Sequence, residues 1–109
     1  MDSPVQLTPM KRVEIVVEAI KLQQVLKVID HAGASGYTVL PSVTGRGHRG
    51  QRAGGALTDL FKNSIVITLV DEAVAEQILR EMKQLIQNYA GIVVVSNVEV
   101  LRPDYTRDR

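Results

Sequence analysis

Residues 44–56 read TGRGHRGQRAGGA and separate two halves of the chain that carry the same pattern. The segment holds five of the chain's eight glycines, three arginines and one histidine, and it has no acidic residue. It shows no apolar periodicity, so it predicts a loop, which extends with its flanks to about residue 63. A loop of that length in a small domain is typically functional or disordered. We refer to residues 44–63 as the Gly/Arg loop.

A strand is predicted on each side of the Gly/Arg loop. Residues 37–43 (YTVLPSV) are rich in β-branched side chains, and Pro41 among them indicates an edge strand or a bulge. Residues 64–70 (SIVITLV) are a continuous apolar run, which is typical of a strand buried on both faces. Thr68 places a hydroxyl in that run, and a buried hydroxyl needs a hydrogen-bond partner. We expect a neighbouring backbone group to be that partner, with a bound ligand as the alternative.

Farther from the loop, each half contains a predicted helix. An apolar stripe with the spacing i, i+3, i+4, i+7 begins near residue 21, and Gly33 is expected to end that helix. Asp71 is expected to cap the second helix, which extends to about residue 89. The stripe of the first helix comprises Leu22, Val25, Leu26 and Ile29, and that of the second comprises Val74, Ile78, Met82, Leu85 and Tyr89.

The outermost elements are predicted strands at 11–18 (KRVEIVVE) and 92–101 (IVVVSNVEVL). The resulting order, β-α-β-loop-β-α-β, predicts an α+β fold, a ferredoxin-like β-α-β-β-α-β sandwich with a long loop between strands two and three. Two helices would cover one face of its sheet and leave the other apolar face bare. Because a bare apolar face needs a partner, we expect an oligomer.

The whole chain is predicted to form one domain with short extensions. A flexible segment is expected at 1–10, a single domain at 11–102 and a polar tail at 103–109. The formal net charge is +1, which gives no general electrostatic case for binding nucleic acid or a membrane surface. The absence of cysteine excludes disulfides and thiolate zinc sites. With no secretory leader and no apolar run near the ~20 residues that span a bilayer, we expect a cytoplasmic protein without membrane insertion.

The Gly/Arg loop is the main candidate for binding chemistry. Glycines let the backbone approach a ligand closely, and the guanidinium groups of Arg46, Arg49 and Arg52 suit a phosphate or a carboxylate. The loop is not a Walker A loop, because no Gly-Lys-Ser/Thr follows, and Gly50 does not open a helix as a dinucleotide-binding turn would. A solvated loop that binds nothing is the alternative. Contact with RNA is disfavoured, because only 4% of the residues are aromatic.

No combination of residues in the sequence indicates a catalytic site. The carboxylates are spread over a strand face and a helix, without a nucleophile beside a base. His31 lies opposite the apolar stripe of the first helix and is expected on the surface. His48 sits among arginines, which disfavours a cation site. We therefore expect a non-enzymatic protein with no catalytic cofactor and no metal.

The pattern as a whole resembles the PII signalling superfamily. The resemblance covers about residues 11–101 and is carried by KRVEIVV in the first strand, KLQQVLKVIDHAGASGYTV through the first helix, GRGHRG at the base of the loop and VDEAVAEQI at the second helix. It implies a homotrimer that binds adenine nucleotides in three clefts between subunits. It also implies that the Gly/Arg loop is the family's T-loop, which moves with the ligand to control a partner protein.

The same resemblance implies a nucleotide site. Gly36 and Thr38 match the turn that holds the adenine, while Gly45 and Gly47 match glycines at the loop base that approach the phosphates. The residues expected at the nucleotide are Val16, Gly36, Tyr37, Thr38, Gly45, Arg46, Gly47, Thr68, Gly91 and Arg102.

Departures from the nitrogen-regulatory members limit which nucleotides are expected as ligands. Ile92 stands where those members have a phosphate-gripping lysine, and only Arg102 follows strand four closely. Weaker phosphate clamping favours ADP, AMP or cyclic AMP over ATP. The loop has no tyrosine, so uridylylation of a loop tyrosine is excluded.

With Ile92 in place of that lysine, the chain resembles divergent members linked to inorganic carbon, namely the carboxysome-associated PII protein and the regulator of a bicarbonate transporter. That similarity implies a bicarbonate site at Arg46 and Arg49 and a protein target such as a bicarbonate transporter or a carboxysome component. The alternative function is a structural or assembly oligomer whose loop docks a partner without sensing nucleotides.

Overall fold

The computed structural model describes residues 4–45 and 62–101, and it contains the predicted order of elements. A 3₁₀ turn (Ala19–Lys21) joins the first strand to the first helix. The strands and helices are β1 (Thr8–Glu18), α1 (Leu22–Ala32), β2 (Thr38–Val43), β3 (Asn63–Val70), α2 (Glu72–Leu85) and β4 (Gly91–Val100).

The strands form one antiparallel sheet in the order β2-β3-β1-β4. Together with two helices on one face, this is the predicted ferredoxin-like α+β arrangement. Pro41 lies in the edge strand β2, where the missing N–H costs no ladder hydrogen bond. The register of β2 also shifts between Leu40 and Val43, and Ser42 adopts a positive φ of 56°. The edge position and the bulge that Pro41 indicated are therefore both present.

One face of the sheet packs against both helices and forms the core. Val13, Ile15 and Val17 alternate along β1 and point toward this side. The core is completed by Val25 and Ile29 of α1, Val66 and Val70 of β3, and Ala75, Ile78 and Met82 of α2. Each fully buried aliphatic side chain of this kind stabilises the fold by about 1.5–3 kcal/mol. We call this side the covered face.

The opposite side, which we call the open face, has no helix over it within the described chain. Residues that pair directly across a sheet share a face. The pairing of β2, β3, β1 and β4 therefore aligns Leu40, Ile65, Val16 and Ile92 in one row across all four strands. This apolar row remains solvent-accessible in a single subunit, so β3 is not buried on both faces by its own chain.

Several element boundaries differ from those the sequence predicted, most of them by a single residue. β1 begins at Thr8 rather than at residue 11, because Thr8 and the next two residues pair with the end of β4. α2 ends at Leu85 rather than near residue 89. The Ile86 N–H still reaches the Met82 carbonyl, but the Gln87 N–H bonds to the Gln84 carbonyl, which tightens the last turn. Tyr89 therefore lies beyond the helix, and β4 begins at Gly91, one residue earlier than expected.

Two predicted helix ends, the end of α1 at Gly33 and the start of α2 at Asp71, are confirmed. Gly33 adopts a φ of 98°, the left-handed conformation that terminates α1 without a steric penalty. The Asp71 carboxylate accepts a hydrogen bond of 2.9 Å from the Val74 N–H and caps α2. Within residues 4–45 and 62–101, neither helix is long and apolar enough to cross a bilayer.

Candidate functional site

Both ends of the Gly/Arg loop leave the same end of the sheet. β1 and β2 finish there and β3 and β4 begin there, with Glu18 opposite Asn63 and Val17 opposite Gly91. The Ala19 N–H donates to the Lys62 carbonyl at 3.1 Å, which ties the 3₁₀ turn to the point where the chain re-enters β3. We call this region the loop end of the sheet. It brings together the base of the loop, the 3₁₀ turn and the start of β4.

Gly91 allows the backbones of β1 and β4 to approach closely at the loop end. A Cβ atom at this position would lie 3.1 Å from the Val16 carbonyl oxygen and 3.1 Å from Cγ1 of Val17. That spacing is tighter than ordinary packing, so a larger residue would push β4 away from β1. Two residues expected at the nucleotide, Val16 and Gly91, are thus neighbours in space.

A second group of expected site residues lies on the β2 side of the sheet. The Thr68 hydroxyl donates a hydrogen bond of 2.6 Å to the Gly36 carbonyl. Thr68 is buried on the covered face, so the expectation of a backbone partner for its hydroxyl is confirmed. This bond anchors the connection between α1 and β2 to β3. Tyr37 and Thr38 follow that anchor and are exposed.

The Val16–Gly91 group and the turn at Gly36–Thr38 lie on opposite sides of β3. Thr38 pairs with Ile67 of β3, and Val16 of β1 pairs with Ile65, so two strand spacings separate Thr38 from the β1 side. With strands ~4.8 Å apart, that separation is about 10 Å. A ligand that touches both groups must either cross the open face or take one group from each of two subunits.

The loop arginines and the C-terminal arginine lie outside the described residues. Arg46, Gly47 and Arg49 follow Gly45, the last described residue before the loop, and Arg102 follows Leu101. Their expected contacts with phosphate or bicarbonate stay predictions. Gly45 itself is exposed at the loop end, and a Cβ atom there would meet nothing within 4 Å.

The structure adds a charged pair on the open face. The Arg12 guanidinium lies 2.9 Å from the Glu14 carboxylate, and both side chains are partly buried. Glu14 occupies the row next to the apolar row, between Ile67 and Val94. The pairing of Glu14 with Arg12 was not predicted from the sequence.

A second unpredicted contact lies at the loop end. The Lys21 ammonium sits 3.5 Å from the centroid of the Tyr89 ring. Sequence periodicity had assigned Tyr89 to the apolar stripe of α2, and it gave no role to Lys21. The sequence positions were the one signal for this contact, because Lys21 directly precedes α1 and Tyr89 is two residues before Gly91.

His31 is exposed, as the sequence predicted, and it joins the two helices. Its Nδ1 lies 3.1 Å from Oε2 of Glu81, which also accepts a 2.7 Å hydrogen bond from Gln77. The hydrogen bond from Gln77, and then that from His31, hold the pKa of Glu81 below its ordinary value. In the part of the chain that the structure describes, no cluster of three histidine or acidic side chains could hold a metal ion.

Comparisons with known proteins agree with this geometry. A family model described as nitrogen regulatory protein P-II matches residues 10–105. CPII, a nitrogen regulatory PII-like protein from Thiomonas intermedia K12, superposes in its complex with ADP, AMP and bicarbonate with a TM-score of 0.81, at 25% identity over 96% of this chain and 100% of that chain. Its complex with ADP and bicarbonate gives a TM-score of 0.82, at 25% identity over 95% of this chain and 100% of that chain. A PII-like signalling protein from Thermus thermophilus is 33% identical over 93% of this chain and 98% of that one, with a TM-score of 0.76.

Proposed function

The chain belongs to the nitrogen regulatory protein P-II family, and from that premise we propose that it is a non-enzymatic sensor of adenine nucleotides. In this proposal it binds ADP or AMP and signals through the conformation of the Gly/Arg loop. The observation that carries the proposal is the loop end, where the return of the loop at Lys62 bonds to the turn after β1 and Gly91 packs against the end of β1. A ligand bound there contacts the segment that has to respond to it.

The proposed binding unit is a homotrimer. The open face presents the apolar row, and a sheet face of this kind is stable in water when another surface covers it. Trimer formation also explains the separation of the two groups of site residues. The turn at Gly36–Thr38 of one subunit and the Val16–Gly91 group of its neighbour would form the two walls of one cleft.

The expected site residues have separate proposed roles in holding the nucleotide. Thr38 and the Gly36 turn, anchored by Thr68, hold the adenine end. Gly45 and Gly47 let the loop base approach the phosphates, where Arg46 and Arg102 supply charge. Ile92 is 56% exposed and uncharged at the phosphate end, which favours AMP, ADP or cyclic AMP over ATP.

Bicarbonate is the proposed second ligand. CPII from Thiomonas intermedia K12 has been solved with ADP, AMP and bicarbonate, and that protein is 25% identical to this chain. Arg46 and Arg49 are the proposed bicarbonate residues, since a guanidinium binds a planar anion through paired hydrogen bonds. A role in inorganic-carbon metabolism follows, in the cytoplasm, with a bicarbonate transporter or a carboxysome component as the target.

Calorimetric titration of the purified protein with AMP, ADP, ATP and cyclic AMP, each with and without bicarbonate, tests this function. We expect micromolar ADP or AMP binding at one site per subunit. Arg46→Ala should weaken binding by several-fold or more, because a charge-assisted hydrogen bond contributes about 1.5–3 kcal/mol. Arg80→Ala is the matched control, because Arg80 pairs with Glu76 on the exposed side of α2.

Two outcomes would count against the proposal. Unchanged affinity in Arg46→Ala would remove that residue from the site. An oligomer that binds none of the four nucleotides, with or without bicarbonate, would overturn the sensor and support the assembly module.

A further inference from the structure

Lys21 is held in place by an aromatic ring. Its ammonium lies 3.5 Å from the centroid of the Tyr89 ring, within the range at which the ring face attracts a cation. Lys21 is partly buried in the 3₁₀ turn, whereas Tyr89 is exposed beyond the end of α2. An ammonium has three donors, and the ring face engages only one side of it. Within residues 4–45 and 62–101 no acceptor is bonded to the remaining donors, so they can bind a ligand.

The Lys21–Tyr89 pair lies at the loop end. Lys21 belongs to the turn whose first residue, Ala19, is hydrogen-bonded to the Lys62 carbonyl at the return of the Gly/Arg loop. Tyr89 is two residues before Gly91, where β4 passes close to Val16. The pair therefore borders the same region as the glycine that brings the two strands together.

No acidic side chain in the described residues neutralises Lys21. It takes part in none of the ion pairs between residues 4–45 and 62–101. The first turn of α1, which follows it, contains no acidic residue. An exposed lysine usually has its charge screened by water, but a partly buried one interacts more strongly with an anion.

We infer that Lys21, positioned by the Tyr89 ring, is a phosphate-binding residue of the nucleotide site. This inference rests on the proposed function, and it names the chemical group that Lys21 binds: the phosphates of a nucleoside diphosphate or monophosphate. Lys21 supplies a positive charge at the loop end, where the side chain of Ile92 is uncharged. Tyr89 is a positioning residue, since it acts by holding the lysine.

The test uses the full chain and compares a ligand that carries phosphates with one that lacks them. Dissociation constants for ADP and for adenosine are measured by calorimetry in the wild type, Lys21→Gln and Lys21→Arg. We expect Lys21→Gln to weaken ADP binding about tenfold and adenosine binding by less than about twofold. Lys21→Arg keeps the charge and the contact with the ring, so it should retain most of the ADP affinity. Lys27→Gln, on the exposed side of α1, is the matched control and should change neither constant.

The ring is tested with a second pair of variants. Tyr89→Phe retains an aromatic face and should bind ADP as the wild type does, whereas Tyr89→Leu should lose part of the ADP affinity. Circular dichroism would reveal whether Lys21→Gln folds. If it does not, the two Tyr89 variants still test the inference.

The outcomes separate this inference from the function on which it rests. An unchanged ADP affinity in Lys21→Gln, or an equal loss for ADP and adenosine, would overturn the role of Lys21 while the sensor stands. If the folded wild type binds neither ligand, the proposed function itself fails.

Discussion

The two faces of the sheet are built from similar aliphatic side chains, but their surroundings differ. On the covered face Ile15 is 0% exposed beneath the helices, whereas on the open face Ile92 is 56% and Val94 is 45% exposed. Both sets come from strands rich in valine and isoleucine. Residue type alone therefore does not show which face stabilises the subunit and which face binds another surface. The covered face stabilises the subunit, and the open face is available to bind other subunits.

The largest expected effect on stability comes from the covered face. Ile15→Ala removes a fully buried side chain and should lower the free energy of unfolding by about 2–5 kcal/mol. Ile20→Ala is the matched control, because Ile20 is 82% exposed in the 3₁₀ turn, and it should change that free energy by less than about 0.5 kcal/mol. Urea unfolding of the two variants checks the prediction. Equal effects would mean that the covered face is not the core.

The next effect should appear in assembly. Val94→Asp places a charge on the open face and should convert the proposed trimer to smaller species, because an unpaired charge is costly in an apolar interface. Leu79→Asp is the matched control, since Leu79 is a partly exposed apolar residue on α2, away from the sheet. Light scattering measures the oligomer. A Val94→Asp protein that remains trimeric would show that subunits do not meet through this face.

Thr68 connects the covered face to the expected adenine turn. Thr68→Val leaves the Gly36 carbonyl without its 2.6 Å hydrogen bond, which should cost about 1–3 kcal/mol of unfolding free energy. Thr68→Ser keeps the hydroxyl and should retain most of that stability. ADP affinity should fall with Thr68→Val, because the Gly36–Thr38 turn loses its anchor. A stable Thr68→Val protein with wild-type affinity would contradict this role.

The smallest effect is expected on the outer surface of the helices. Since hydrogen bonding lowers the pKa of Glu81, its contribution to stability is present above the ordinary value of 4.5 and is lost as the pH falls through the lowered pKa. Glu81→Gln cannot titrate, so its melting temperature should fall slightly less than that of the wild type between about pH 5 and pH 3. Parallel dependence of the two melting temperatures on pH would show that the hydrogen bonds from Gln77 and His31 to Glu81 contribute no measurable stability.

Most of the fold could be predicted because local signals agree with the tertiary structure. Gly33 and Asp71 mark helix ends through their own backbone and side-chain chemistry. Pro41 indicated an edge strand or a bulge, and the structure has both. The start of β1 was misplaced because it depends on a distant partner. Thr8 joins β1 only because β4 pairs with it, and no local pattern reports that pairing.

The site was less predictable than the fold. Burial predicted that the Thr68 hydroxyl has a partner, because a buried hydroxyl has to be satisfied, and of the two expected partners the structure has the backbone group. The contact between Lys21 and Tyr89 joins residues far apart in sequence, and helical periodicity assigned Tyr89 to the wrong element. The arginines expected at the phosphates lie outside the described residues, so their roles rest on the family pattern.

Native mass spectrometry of the full chain with and without ADP tests the central claim most directly. We predict a species of three 12.0 kDa subunits that takes up at most three ADP molecules, one for each cleft. Val94→Asp should lose both the trimer and the bound ADP, since each cleft needs two subunits. A monomer that binds ADP, or a trimer that binds none, would contradict the claim that the open face assembles the nucleotide site.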